Sequence, residues 1–214
     1  MRLFCIILLI TSLLSACNTN ESTYAVIATD YGNMRVKLYN STPQHRDNFV
    51  KLVKESYYDS LLFHRVMSNF MIQGGDPNSK NAPPNMTLGN GGPGYTIPAE
   101  IGAPHFKGAL SAARRPDGVN PQRASSGSQF FIVQGTPQTD AMLDNITQAK
   151  GITYSETQRN LYKEIGGYPF LDNDYTVFGE VVEGLEVIDK IAAVQTANGN
   201  RPVQDVRINS IRLD

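Results

Sequence analysis

With 19 lysines and arginines against 20 aspartates and glutamates, the 214-residue chain has a formal charge of -1, which offers no electrostatic case for binding nucleic acid. A hydrophobic share of 41% supports one compact core and little more, and 18 glycines with 12 prolines suit a β protein with many turns.

The N-terminus reads as a targeting segment. Arg2 precedes the apolar run Leu3 to Leu14, too short to span a bilayer as a helix. The run ends at Leu14-Ser15-Ala16-Cys17, which resembles the bacterial lipobox, where small residues precede a cysteine that is lipidated and becomes the new N-terminus. The competing reading is an ordinary signal peptide with an incidental cysteine. The expected division is a signal peptide over 1–16, a lipidated polar tether over 17–23 and one domain over 24–214. Cys5 would leave with the signal, so no intramolecular disulfide is expected. One acyl chain holds a protein only marginally, and the two or three of a bacterial lipoprotein would anchor it firmly.

Tyr24–Thr29 and Met34–Tyr39 flank Asp30-Tyr31-Gly32-Asn33, a hairpin pattern. Thr42-Pro43 opens a helix, with a capping residue and then proline at the first helical position, and Phe49, Leu52 and Val53 share one face. The stretch from Phe63 to Asp76 reads as sheet and places Arg65 and Gln73 an even number apart, so both can point the same way, with Asn69 as the interruption. A guanidinium among apolar residues is costly unless its hydrogen bonds are accepted, and a structural ion pair is the bland explanation. Gly89-Asn90-Gly91-Gly92-Pro93-Gly94 spells G-x-G-x-x-G, but no strand precedes it and no helix follows, so it reads as a loop.

Ser126–Val133 is a second apolar segment, preceded by a long loop with Arg114, Arg115 and Arg123. No nucleophile elbow surrounds Ser125, Ser126 or Ser128, and His45, His64 and His105 lack ligand spacing, so no metal is expected. His64, of opposite parity to Arg65, reads as structural. Over 136–169 a helical hairpin is expected. Asp140 would cap a helix through Lys150 with Met142, Ile146 and Ala149 on one face and Gly151 ending it. Ser155-Glu156-Thr157-Gln158 forms a capping box that opens a second helix, striped by Leu161 and Ile165 and stopped at Gly166-Gly167. A third apolar segment spans Phe170–Val181. A helix follows over Leu185–Ala192 with Leu185, Ile188 and Ala192 inward, and then a closing strand over Val206–Leu213 with one bulge or face change.

Phe63-His64-Arg65 with Phe70-Met71-Ile72-Gln73-Gly74-Gly75-Asp76, then Gly127-Ser128-Gln129-Phe130-Phe131-Ile132, then Leu171-Asp172 with Val177-Phe178-Gly179-Glu180-Val181, stand in an order that resembles the cyclophilins, the peptidyl-prolyl cis-trans isomerases. Gly108–Ala113 resembles the segment before the middle block, and the resemblance covers most of 24–214. It implies a mainly β fold, a closed antiparallel eight-stranded barrel capped by two helices, here with the hairpin of 136–169 inserted. It implies peptidyl-prolyl cis-trans isomerase activity (EC 5.2.1.8), no cofactor, and as partners proline-containing peptides and unfolded or exported proteins, acted on by a monomer.

By position, Arg65 corresponds to the family's catalytic arginine and Gln73 to the glutamine that orients it. Phe70, Met71, Phe131 and Leu171 correspond to the proline pocket, and Ala113 and Gln129 to the neighbouring backbone-binding groove. Tyr175 falls where many members have histidine, and Arg114 replaces a common asparagine. Phe170 falls where eukaryotic members often have a tryptophan associated with tight cyclosporin binding, and the resemblance implies that both Phe170 and Tyr175 bind substrate. Cys17 as lipid anchor would place the domain in the bacterial cell envelope, facing the periplasm or cell surface. The alternative is a catalytically idle peptide-binding or chaperone module on the same barrel. The presence of Arg65, Gln73, Phe70 and Phe131 together favours the enzyme.

Overall fold

Alternation of buried and half-exposed residues drives the first hairpin. In β1 (Thr23–Thr29) Ala25 and Ile27 turn inward, and in β2 (Gly32–Leu38) Met34, Val36 and Leu38 do the same. The turn is tighter than the four residues expected, because Thr29 pairs directly with Gly32 and leaves only Asp30 and Tyr31 between the strands. The computed structural model describes residues 22–214, so the expected signal segment and Cys17 lie outside it.

α1 (Pro43–Lys54) buries Phe49, Leu52 and Val53 as expected. Its cap differs from expectation. The Thr42 hydroxyl donates back to the Tyr39 carbonyl, and the Glu100 carboxylate, far away in sequence, accepts from the backbone N–H groups of Gln44 (3.2 Å) and His45 (3.0 Å). A carboxylate there satisfies orphan donors and meets the positive end of the helix dipole.

The remaining strands are β3 (Arg65–Met67), β4 (Met71–Gly74), β5 (Thr96–Ile97), β6 (Ala109–Arg114), β7 (Ser125–Val133), β8 (Val177–Glu183) and β9 (Ile208–Leu213). All pairings are antiparallel, in the order β3-β4-β7-β6-β8-β2-β1-β9, with β5 attached to β7. Among the described residues the sheet therefore has nine strands rather than eight, and it is an open, curled half-barrel rather than a closed one. The edge strands β3 and β9 do not pair. β3 is only three residues long, and an irregular stretch with Leu62 opposite Arg207 bridges the seam. α1 and α4 (Leu185–Ala192) bury Phe49, Leu52, Ile188 and Ile191 in the main core. Leu185, expected to be inward, is 36% exposed, and Val187 and Ile191 supply the buried stripe instead.

The insertion folds as the expected hairpin of α2 (Asp140–Lys150) and α3 (Glu156–Glu164). Both halves of the Ser155–Gln158 capping box form, and Gly151 ends α2 in the left-handed conformation. Three details differ. Thr139, not Asp140, caps α2 by accepting from Met142 N–H; Leu143 joins Ile146 inside while Ala149 is exposed; and Tyr162, not Ile165, is the buried residue of α3. Leu143, Ile146, Tyr154 and Tyr162 make a small core of their own. The ends of the insertion are clasped by Thr136 and Gly167, whose backbones exchange two hydrogen bonds. A Cβ on Gly135 would lie 2.4 Å from the Gly167 backbone, so the clasp requires glycine.

Candidate active site

Strand pairing decides which side chains meet. Arg65 pairs with Gln73, Gln73 with Phe131, and Phe131 with Ser111, so this row projects from one face of the sheet. The adjacent row of Val66, Ile72, Ile132 and Leu110 projects from the other face into the main core. Arg65 and Gln73 thus share a face because they pair across a hairpin. Asn69, at φ 63°, breaks the continuous strand that simple parity would need. A bulge between Ala112 and Arg114 re-aims Ala113 toward the same face, where it packs with Met71, Phe131 and Val177.

A pocket of about 100 Å³ lies on that face, lined by Arg65, Phe70, Met71, Gln73, Ala113, Arg114, Phe131, Leu171 and Tyr175. That is room for about three waters, and too little for a drug-sized ligand. A larger groove of about 670 Å³ adjoins it and shares Gln73, Ala113 and Arg114. Gln129, Asn90, Gly92, Tyr95 and Val119 also line the groove, so the Gly89–Gly94 segment is a loop, as expected.

The polar wall is an ordered relay. Arg65 Nη1 donates to Gln73 Oε1 (3.3 Å), and Gln73 Nε2 donates to Gln129 Oε1 (3.1 Å). Gln129 Nε2 donates to the carbonyls of Gly89 (3.0 Å) and Gly91 (2.7 Å). Because a guanidinium has donors only, the relay fixes which way each amide points. Fully buried Asp76 accepts from the N–H groups of Gly89 and Gly91 and pins the loop from below. Arg65 is half-buried, with Nη2 3.0 Å from Met67 Sδ and its guanidinium 5.8 Å from the Phe70 ring centre. No carboxylate pairs with it among the described residues, so the ion-pair explanation fails. Burial lowers its pKa, yet an arginine stays charged.

The apolar wall is aromatic. Phe131 meets Tyr175 edge-on (5.8 Å), and the Arg114 guanidinium lies over the Tyr175 ring (4.6 Å). Arg114 is tied to the rim by Asp117 and by donation to the Asp174 carbonyl.

Residues 24–213 match the family described as "Cyclophilin type peptidyl-prolyl cis-trans isomerase/CLD". A Staphylococcus aureus (strain COL) protein named "Putative peptidyl-prolyl cis-trans isomerase" is 35% identical over 190 residues, 88% of this chain and 90% of its own. A Staphylococcus haemolyticus protein of the same name is 34% identical over 187 residues, 87% of this chain and 88% of its own. The chain belongs to the cyclophilin family of peptidyl-prolyl cis-trans isomerases. A crystal structure of a Cryptosporidium parvum cyclophilin superposes with a TM-score of 0.66 at 24% identity, covering 91% of this chain and 98% of that one. The same parasite protein solved in the presence of the dipeptide Ala-Pro gives 0.64 at 24% identity, covering 89% and 98%.

Of the residues expected at the cyclophilin site, Arg65, Gln73, Phe70, Met71, Ala113, Phe131, Leu171 and Tyr175 converge on one pocket, and Gln129 lies in the adjoining groove. Phe170 does not. It is 48% exposed, and the aromatic ring packed on Phe70 is that of Tyr168, with ring centres 4.4 Å apart. Pro169 starts a short 3₁₀ turn between the two aromatics and turns Phe170 outward, 5.6 Å from Tyr168. Pro169 in the pattern Tyr168-Pro169-Phe170 is the available signal, since proline presets the backbone of a turn. His64 is buried, as a structural residue should be.

Proposed function

We propose that this cyclophilin catalyses rotation about Xaa-Pro peptide bonds with Arg65 as the catalytic residue, and that it serves the folding of exported proteins from a lipid anchor at Cys17. Isomerisation makes and breaks no bond, so it needs no acid, base or nucleophile. Its barrier of roughly 18–20 kcal/mol is the amide's partial double bond. As that bond twists, the prolyl nitrogen becomes pyramidal and accepts a hydrogen bond that the planar amide cannot. A guanidinium aimed there acts on the transition state alone, which is what catalysis requires. The observation that carries this reading is the convergence of a guanidinium free of carboxylates, held by the Gln73–Gln129 relay, with a pocket sized for one small ring.

Gln73 orients Arg65; Phe70, Met71, Phe131 and Leu171 grip the proline ring; Ala113 and Gln129 bind the backbone of the residues beside it. An idle peptide-binding groove gives no reason to keep a half-buried charge unpaired at its centre. The anchor rests on Leu14-Ser15-Ala16-Cys17. An NMR exchange or protease-coupled assay on a short Ala-Pro peptide tests the reading. Acceleration over the uncatalysed rate is expected, and peptide binding without it would favour the idle module.

A further inference from the structure

Asp172 is 3% exposed and lies between Leu171 and Tyr175 in sequence, both of them pocket-lining residues. Burying a carboxylate costs several kcal/mol unless its lone pairs are satisfied. Here four donors satisfy them. His105 gives its backbone N–H (2.8 Å) and its Nδ1 (2.8 Å) to Oδ1, while the hydroxyls of Tyr154 (2.8 Å) and Tyr162 (2.6 Å) donate to Oδ2. The two tyrosines belong to the insertion. A third tie comes from the end of α2, where Lys150 Nζ donates to the carbonyls of Phe170 (2.6 Å) and Asp172 (3.0 Å) and pairs with Asp174.

The same carboxylate reaches the opposite pocket wall. The His105 ring stacks on Phe131 with planes 10° apart and centres 6.1 Å apart, and meets Tyr175 edge-on at 6.4 Å. No residue of α2 or α3 lines the pocket or the adjoining groove, so the insertion does not meet the peptide there directly. Tyr154, Tyr162 and Lys150 instead spend their polar atoms on the segment behind the wall.

We propose that the helical insertion positions the proline pocket, with Tyr154, Tyr162 and Lys150 as positioning residues that act through Asp172 on Leu171, Tyr175 and Phe131. This rests on the isomerase reading of the same site. Removing both hydroxyls leaves half of a buried carboxylate without donors, and the segment that carries it must move to find others. Displacements of about 1 Å at a binding wall can cost up to ~10²-fold in rate. Arg65 is fixed by the separate Gln73–Gln129 relay, so the loss should fall on the grip of the proline rather than on turnover.

The test uses the double variant Tyr154→Phe, Tyr162→Phe and, separately, Lys150→Met. The control is Ile146→Val or Ile146→Ala, whichever matches the double variant's loss in melting temperature. Ile146 packs in the same small core and makes none of these bonds. On an Ala-Pro peptide the expected result is KM raised about fivefold or more, kcat within about twofold and the control unchanged. Unchanged KM in the double variant, or an equal rise in the control, would overturn the inference. A wild-type protein without isomerase activity would overturn the function instead. In that case the Leu171 methyl NMR signals still decide the inference, since they must shift in the double variant and not in the control.

Discussion

Arg65 and Gln73 stand directly opposite each other on β3 and β4, and the glutamine oxygen accepts from the guanidinium at 3.3 Å with no carboxylate taking part. A neutral acceptor orients the arginine without cancelling its charge, and leaves donors for a ligand. Arg65→Ala should therefore cut kcat/KM by about 10²–10³-fold, a loss of about 3–4 kcal/mol in transition-state stabilisation, with peptide affinity little changed. Arg65→Lys should recover little, because a point charge lacks the fixed fork. Exchange rates equal to wild type would remove Arg65 from the mechanism, and unfolding on mutation would mark it as structural.

Phe131 presents its face to the pocket and its back to His105. Phe131→Ala removes a wall that grips the proline in ground and transition states alike, so affinity and kcat/KM should fall together by about 2–3 kcal/mol. Isothermal titration with a non-isomerising proline analogue measures the first, and unchanged affinity would place the proline elsewhere.

Tyr168 and Phe170 separate two roles that sequence position alone would merge. Tyr168 packs on Phe70, itself a pocket-lining residue, while Phe170 is about half exposed and does not line the pocket. Tyr168→Ala should weaken peptide binding by about 1 kcal/mol or more, the value of an aromatic pair, and Phe170→Ala should stay within about 0.5 kcal/mol. The reverse ranking would show that Phe170 turns inward when peptide binds.

The blocks around Arg65, Phe131 and Leu171 were legible because the chemistry of the site is written in contiguous segments whose pairing brings the rows together. The helix positions were legible from proline, glycine and capping-box signals, which act within a few residues. What escaped depends on distance along the chain. Glu100 caps a helix that begins at Pro43, and Asp172 gathers donors from His105, Tyr154 and Tyr162. No local pattern encodes such partners. In α3 the aliphatic stripe of Leu161 and Ile165 misleads, because the amphipathic Tyr162 buries its ring and still satisfies its hydroxyl. Closure of the barrel failed for a similar reason, since it depends on whether two distant edges, β3 and β9, come into register.

Cys17→Ser should move the protein from the membrane to the soluble fraction, because lipidation needs the thiolate sulfur. No helix among the described residues is long and apolar enough to cross a membrane. Palmitate labelling and fractionation after a carbonate wash measure this. A substituted protein that still pellets with membranes would contradict the anchor.

Stability should fall as the medium is acidified from about pH 6.5 to about pH 4, and buried histidines are the reason. Burial pushes His64 down to about 4, and neither ring nitrogen has a hydrogen-bond partner among the described residues. His45 and His105 are also lowered by burial, against the opposing pull of Glu100 and Asp172. A group whose folded pKa lies below its unfolded value of 6.5 takes up its proton first in the unfolded chain, so acid favours unfolding. For His64 the stability is intact above about 6.5, is lost on the way down to about 4 and changes no further below that, with a total of ~3 kcal/mol at most. Asp59 and Glu100, both held below the usual carboxylate range, lose stability in the same direction but only as the pH falls below about 4. The upper window therefore belongs to the histidines. Urea unfolding at half-unit steps from pH 7 to 4.5 should show a falling midpoint, and His64→Leu should flatten that slope. A midpoint constant across the range would mean that the histidines reach water in the folded protein.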